Sequence, residues 1–200
     1  MKKIILKRIM SFTIAFAAVT GLIHAIPDAQ VSAEDTIEQI QIYDDENAAD
    51  WSVQTNLQIG SQIYGDRDFT YVTIPDFLIG ADYIRTAADS KYYADTLCDF
   101  TAGEDINVYV ALDDRVEAEL SWLSVWTDTG ENVSISNGEV FNLYHASFDK
   151  GDIVSLGTNG QSSGCINYTV IVTLREKEPM LGDVNADNEF SIADAVLMQK

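Results

Sequence analysis

The sequence is poor in basic residues. Only 12 of its 200 residues are Lys or Arg, against 32 Asp and Glu, and the formal net charge is −20. Without the four basic residues and one aspartate of residues 1–33, 8 basic residues remain against 31 acidic ones, a net charge of −23. A chain this acidic repels nucleic acid and anionic membranes, which argues against both as partners.

The sequence also lacks an apolar run long enough to span a bilayer. Its N-terminal run, Phe12 to Ile23, has about twelve residues and follows four basic residues among the first eight. Val31-Ser32-Ala33 then offers the small residues of a cleavage site, with a second possible site at Ile23-His24-Ala25. We therefore expect residues 1–33 to be a signal peptide and the protein to be secreted and extracellular.

Cysteine is scarce, with Cys98 and Cys165 as the two examples. In an exported chain they can form one disulfide, which would close a long loop and stabilise the fold by about 4 kcal/mol on the chain-entropy model. Two buried free thiols are the equally open alternative.

Motifs of familiar enzymes are missing as well. The sequence contains no G-x-S-x-G, no H-E-x-x-H and no Rossmann-type glycine pattern. Beyond the leader, His145 is the only histidine, and its place beside Tyr144 in a β-type run indicates an ordinary strand residue. We expect no catalytic residue and a non-catalytic protein.

What is present in the middle of the chain is a series of short β-type runs separated by turn residues such as Asn137-Gly138. Such spacing predicts a mainly β fold, an antiparallel β-sandwich over residues 51–174. Residues 34–50 are acidic and are expected to form a linker or an edge strand. The predicted strands are Trp51–Gln58, Phe69–Ile74, Tyr83–Thr86, Asp105–Leu112, Val140–Tyr144, Ile153–Leu156 and Asn167–Leu174.

Aromatic and polar residues are concentrated in one stretch of this region. Sugar rings stack on aromatic faces, and Asp, Asn and Arg bond sugar hydroxyls or carboxylates. The candidate carbohydrate-binding residues are Tyr109, Asp113, Asp114, Arg115, Trp122, Trp126 and Asp128. A second cluster consists of Lys91, Tyr92 and Tyr93, with Arg85 and Tyr83. The structural alternative is that both tryptophans belong to the core and that Asp113-Asp114-Arg115 is a salt-bridge network; Trp51 is expected in the core.

After a charged linker at residues 175–181, the last residues read GDVNADNEFSIADAVLMQK. Oxygen-bearing residues recur there at the alternating positions of a calcium loop. The predicted Ca²⁺ ligands are Asp183, Asn185, Asp187, Glu189 through its carbonyl, Ser191 and Asp194. Ile192 and the following Ala-Val-Leu-Met run have the spacing of one helix face. The alternative is a surface turn without metal.

Residues 182–200 resemble the first repeat of a type I dockerin, the module that joins cellulosomal enzymes to cohesin domains on a scaffoldin. The resemblance implies a calcium-dependent cohesin partner and places the contacts at Ile192, Ala193, Gln199 and Lys200. Dockerins carry two such repeats, whereas the sequence stops inside the first. We therefore expect that the sequence is truncated and that this half dockerin is only partly ordered by itself.

Residues 50–174 resemble a β-sandwich module of secreted pectate and rhamnogalacturonan lyases, with VYVALDDR and SWLSVWTDTG as the most specific segments. Leu120 stands where that module usually has proline. The resemblance implies an accessory module that binds plant cell-wall polysaccharide, with pectic material as the first candidate. The sequence thus predicts a secreted cellulosome component. A small polysaccharide lyase or glycoside hydrolase with its site among Asp113, Asp114, Arg115 and Asp128, or a structural spacer, are the alternatives.

Overall fold

A computed structural model describes residues 36–176 of the protein. This part contains ten strands and four short 3₁₀ helices. The strands are β1 (Ile37–Ile42), β2 (Ser52–Gln54), β3 (Tyr71–Thr73), β4 (Asp82–Arg85), β5 (Cys98–Ala102), β6 (Ile106–Asp113), β7 (Thr127–Ile135), β8 (Val140–Phe148), β9 (Ile153–Leu156) and β10 (Thr169–Leu174). The 3₁₀ helices are Ala48–Asp50, Asp76–Leu78, Ala88–Tyr92 and Ser121–Leu123. No helix in residues 36–176 is long and apolar enough to cross a membrane.

The strands form two sheets whose neighbouring strands are all antiparallel. The smaller sheet has the order β1-β5-β9, and the larger has the order β2-β4-β10-β6-β8-β7-β3. Strand β1 lies at an edge of the smaller sheet, within the acidic stretch before Trp51. The prediction of a mainly β, antiparallel fold is confirmed.

The two sheets face each other across a first hydrophobic core. Alternation along β6 and β10 turns Val108, Val110 and Val170 toward it, where they meet Phe100 of β5. Each such fully buried side chain stabilises the fold by about 1.5–3 kcal/mol relative to an exposed one. Trp51 is buried in the same core and donates a hydrogen bond from Nε1 to Ser90 Oγ (3.0 Å), as expected for a core residue.

A second core covers part of the other face of the larger sheet. The segment 55–81 supplies Leu57, Ile63, Tyr64 and Leu78, all fully buried. The hydroxyl of Tyr64 donates to the carbonyl of Asn167, so this segment is fixed to the start of β10. Because the segment covers only part of the face, side chains of β6 and β8 remain partly open to solvent.

Several details of the strand prediction were wrong, including the end of β8, which is Phe148 rather than Tyr144. The first strand of the larger sheet ends at Gln54 rather than Gln58, because the chain turns at Asn56 (φ 58°) and Leu57 pairs with the turn at Gly80 and Ala81. Strands β5 and β7 were not predicted. β7 is mostly polar, is broken by a register shift between Asp128 and Asn132, and so shows no alternation.

Candidate functional site

Three aromatic rings lie in a row on the partly open face of the larger sheet. Tyr109 of β6 and His145 of β8 are register partners, with ring centroids 4.9 Å apart. Phe77, from the 3₁₀ helix Asp76–Leu78, also contacts the Tyr109 ring, with a centroid distance of 5.6 Å. Phe77 is 53% exposed, whereas the other two rings are half-buried. We call Phe77, Tyr109 and His145 the ring row.

Polar side chains border the ring row. Asn107 Oδ1 accepts a hydrogen bond from Ser147 Oγ (2.8 Å) and lies 3.1 Å from His145 Nε2. Thr173 of β10 is the register partner of Asn107, and Thr127 of β7 is the register partner of His145. The rings are tilted against each other by 51° (Phe77 and Tyr109) and 35° (Tyr109 and His145), and with the hydroxyl and amide groups beside them they offer aromatic and polar contacts to a ligand.

The ring row carries no charge at neutral pH. Partial burial lowers the pKa of His145, which favours the neutral imidazole. Burial raises the pKa of Tyr109, partly offset by its hydrogen bond with Thr173, so the phenol stays protonated. Stacking and neutral hydrogen bonds are therefore the interactions that this face offers.

The candidate residues Asp113 and Arg115 form a salt bridge in which Asp113 is buried and Arg115 is exposed, and we call this pair the pin. Asp113 accepts from the Arg115 backbone N, from Arg115 Nε (2.8 Å) and Nη2 (2.6 Å), and from the Ile166 N (2.7 Å). Arg115 Nη1 also pairs with Glu139 (2.6 Å). Both charges are thus paired, Asp113 inside the protein and Arg115 at its surface, and the hydrogen bond from the Ile166 N fixes the end of β6 to the segment before β10. Asp114 beside them is exposed.

The two candidate tryptophans pack on the first core. Trp122 donates from Nε1 to the Thr158 carbonyl (2.8 Å), and its ring lies 5.6 Å from that of Tyr168. Trp126 makes an edge contact with Trp122 (6.1 Å) and a tilted contact with Phe148 (5.9 Å). Both are half-buried and belong to the opposite side of the larger sheet from the ring row.

Asp128, the last residue of the candidate set, is exposed and accepts from the Gly130 N (2.9 Å) within the bulged part of β7. Of the seven candidate residues, Tyr109 alone is part of the ring row. The structure therefore does not bring the set together in one site.

The second candidate cluster is also divided. Tyr83 is buried in the second core, and Arg85 bonds Ser52 (3.1 Å) and Gln62 (3.2 Å). Lys91 Nζ donates to the Cys165 carbonyl (3.0 Å) and stands 5.0 Å from the centre of the Tyr92 ring, which is 64% exposed.

The structure describes both cysteines as free thiols, and both are buried. Cys98 is part of β5 in the smaller sheet, whereas Cys165 bonds Asn159 and Gln161 in the segment before β10. Burial raises the pKa of each thiol, so neither is a reactive thiolate at neutral pH.

Residues 36–176 contain no group of three or more His, Cys, Asp or Glu that could hold a metal ion. The predicted calcium ligands lie outside the described residues: Asp183, Asn185, Asp187, Glu189, Ser191 and Asp194. The same is true of the predicted cohesin contacts Ile192, Ala193, Gln199 and Lys200, and of the predicted signal peptide.

Sequence reasoning missed most of the ring row and its border. Phe77 lies in a 3₁₀ helix between β3 and β4, so no strand periodicity marked it. His145 was predicted to be an ordinary strand residue. The usable signal was the period of two: Asn107 and Tyr109 on one strand, and His145 and Ser147 on another, must each share a face.

Comparison with known proteins finds that this chain is similar to part of two β-glucuronidases. No family model matches the chain. A β-glucuronidase of Formosa agariphila is 30% identical over 124 residues, which are 60% of this chain and 12% of that enzyme. A solved β-glucuronidase of glycoside hydrolase family 2 has 25% identity and a TM-score of 0.63 over 71% of this chain and 15% of its own. The chain thus matches a small part of each relative.

Proposed function

We propose that this protein is a secreted, non-catalytic component of plant polysaccharide degradation whose β domain binds carbohydrate. The observation that carries the proposal is the ring row, in which Phe77, Tyr109 and His145 line up beside Asn107 and Ser147 on a partly open sheet face. Rings in a row with hydroxyl and amide groups at their edges match a sugar chain, which presents apolar ring faces and hydroxyls.

The similarity to β-glucuronidases supports a carbohydrate ligand. The matched part is 12% or 15% of those enzymes, a share that suits one module better than a whole catalytic apparatus. A module of this kind acts by tethering, because it raises the local concentration of partner enzymes at the polysaccharide. Pectic polysaccharide is the first ligand to test.

Affinity electrophoresis in gels containing pectin, xylan or soluble cellulose tests the proposal. We expect one polysaccharide to retard the wild-type protein and the Phe77→Ala variant to be retarded about fivefold more weakly, since a stacking contact is worth about 1 kcal/mol. Tyr92→Ala removes another exposed ring (64%, against 53% for Phe77) that is not part of the ring row, and it serves as the control. Equal retardation of both variants would remove the ring row as the site, and no retardation in any gel would favour a structural spacer.

We further propose that residues 182–200 act as a half dockerin, by resemblance to type I dockerins. Asp183, Asn185, Asp187, Glu189, Ser191 and Asp194 would hold Ca²⁺, and Ile192, Ala193, Gln199 and Lys200 would contact a cohesin of a scaffoldin. Support for this part comes from the spacing of oxygen-bearing residues in the sequence.

In the candidate site of the enzymatic alternative, Asp113 and Arg115 are already engaged in hydrogen bonds and ion pairs. A glycosidase needs two available carboxylates and a lyase needs an available base. Asp113 already accepts four hydrogen bonds, and Arg115 is paired with two carboxylates. Incubation with pectin should therefore release no unsaturated uronides; a steady rise in their absorbance would restore the lyase alternative.

A further inference from the structure

A pocket of about 290 Å³ lies on the outer face of the smaller sheet. Asp99 of β5 and Ser155 of β9 are register partners, and their neighbours Phe100, Val154 and Leu156 point into the first core. Asp99 and Ser155 therefore point away from that core, and the pocket is on the opposite side of the sandwich from the ring row. Its lining residues are Tyr43, Tyr93, Asp95, Thr96, Asp99 and Ser155.

Asp99 has one carboxylate oxygen engaged and one unengaged. Oδ2 accepts a hydrogen bond from the Tyr43 hydroxyl (2.8 Å), and this bond raises the pKa of Tyr43. Oδ1 is buried and has no donor among residues 36–176. Nearly all buried polar atoms in proteins are hydrogen-bonded, and a sugar hydroxyl would satisfy this oxygen once the Asp99 side chain turns it toward the pocket.

The rest of the lining is rich in acceptors and poor in positive charge. Asp95 accepts from the Thr96 N (3.0 Å) and offers its second oxygen, and the hydroxyls of Thr96 and Ser155 have no hydrogen-bond partner within the described residues. Tyr43 and Tyr93 add two rings, and the lining contains no Lys, Arg or His. A ligand for this pocket must donate several hydrogen bonds and must carry no negative charge.

We propose that this pocket is a second carbohydrate site, one that accepts a single neutral sugar residue and rejects uronates. Sugar hydroxyls are the donors that Asp99, Asp95 and Ser155 require, whereas the carboxylate of a uronate would be repelled by the two aspartates. The volume is at the small end for ligand sites and suits one sugar residue. The inference extends the proposed carbohydrate-binding function to a second face.

Titration of the isotopically labelled full chain, followed by amide chemical shifts, tests the pocket. The probes are D-galactose, D-glucose, D-xylose and L-arabinose, with D-galacturonate and D-glucuronate as counterparts that differ from the first two only at C6. We expect at least one neutral sugar to shift the amides of Thr96, Asp99 and Ser155 while neither uronate does so. Absence of shifts with all four neutral sugars, or equal shifts with a uronate, would overturn the inference.

Two variants test whether the chemical-shift changes come from a sugar bound in the pocket. Tyr43→Phe keeps the ring of a partly exposed residue, and Asp99→Asn keeps the side-chain size; each should weaken neutral-sugar binding by about tenfold. Asp68→Asn, an exposed aspartate outside the pocket lining, is the charge-matched control. Unchanged affinity in both pocket variants would refute the site.

Phe77→Ala separates this inference from the proposed function. The pocket shifts should persist in that variant, and their loss would overturn the assignment of two independent sites. If polysaccharide gels retard the protein while the pocket amides respond to none of the sugars, the pocket inference fails and the proposed function stands.

Discussion

The indole ring of Trp122 lies directly on the backbone of Gly157. A Cβ built on Gly157 would be 2.4 Å from Trp122 Cδ1 and 2.7 Å from its Nε1, closer than real contacts allow. The indole cannot move away freely, because Nε1 bonds the Thr158 carbonyl and the ring packs on Tyr168. This contact shows that Trp122 is a packing residue.

Gly157→Ala should therefore destabilise the protein by about 1–3 kcal/mol, the usual cost of forcing an extra methyl group into a packed site. Urea unfolding measures the change. In a Trp122→Ala background the same substitution should cost much less, since the clashing ring is gone. A cost that is equal in both backgrounds would show that Gly157 is required for another reason.

Asp113→Asn should destabilise the fold by about 1–3 kcal/mol, because one acceptor oxygen of this buried side chain becomes an NH₂ group that cannot accept from Arg115 Nη2 or from the Ile166 N. Asp114→Asn is the matched control: Asp114 is the neighbouring aspartate, but it is exposed, and we expect a change below about 0.5 kcal/mol. Urea unfolding at pH 7 measures the free energy of unfolding of both variants. Equal changes would show that the Asp113–Arg115 pair does not stabilise the fold.

The effect of Asp113→Asn should also depend on pH. Burial acts to raise the pKa of Asp113, but the hydrogen bonds from Arg115 and Ile166 outweigh it and lower this pKa below the ordinary value of 3.8. The stabilisation is therefore complete above about pH 3.8 and is lost as the pH falls through the lower, folded value. The wild type should lose its advantage over the variant in that window, and a constant difference from pH 6 to pH 2 would contradict it.

The alternation of apolar and polar residues made many of the strands predictable from the sequence. The strands without this alternation were not predictable. β6 and β10 are buried strands rich in valine and isoleucine, with turn residues on both sides, so their positions follow from the sequence. β7 is mostly exposed and has a register shift between Asp128 and Asn132, so its sequence carries no such signal.

The candidate sites were also only partly predictable from the sequence. Spacing along the chain groups Asp113, Arg115 and Trp122, yet the sheet puts the aspartate in a pin and the tryptophan on the opposite side. Tyr109 and His145 are 36 positions apart and meet only because β6 and β8 are paired in this register. Local sequence contains the residue types of the ring row, but strand pairing decides which of them touch.

His145 should make stability sensitive to mildly acidic pH. Burial lowers its pKa from the ordinary 6.5, so the unfolded chain binds a proton more readily than the folded one. Its contribution is complete above pH 6.5 and is lost as the pH falls below that value toward the folded pKa. Unfolding free energies at pH 7.5 and pH 5 should differ more in the wild type than in His145→Gln. An equal difference in the two proteins would show that His145 is not perturbed.

Calcium should bind the full chain through the loop that begins at Asp183, because six oxygen donors recur there at the spacing that a hard cation requires. Isothermal calorimetry should record heat on addition of calcium to chelator-treated protein, and Asp187→Ala should remove most of it. Asp68→Asn, which takes an equal charge from the β domain, should leave the heat unchanged. Since residues 36–176 hold no cluster of three metal-ligating side chains, heat that survives Asp187→Ala would point to a site formed by other residues and would contradict the half-dockerin proposal.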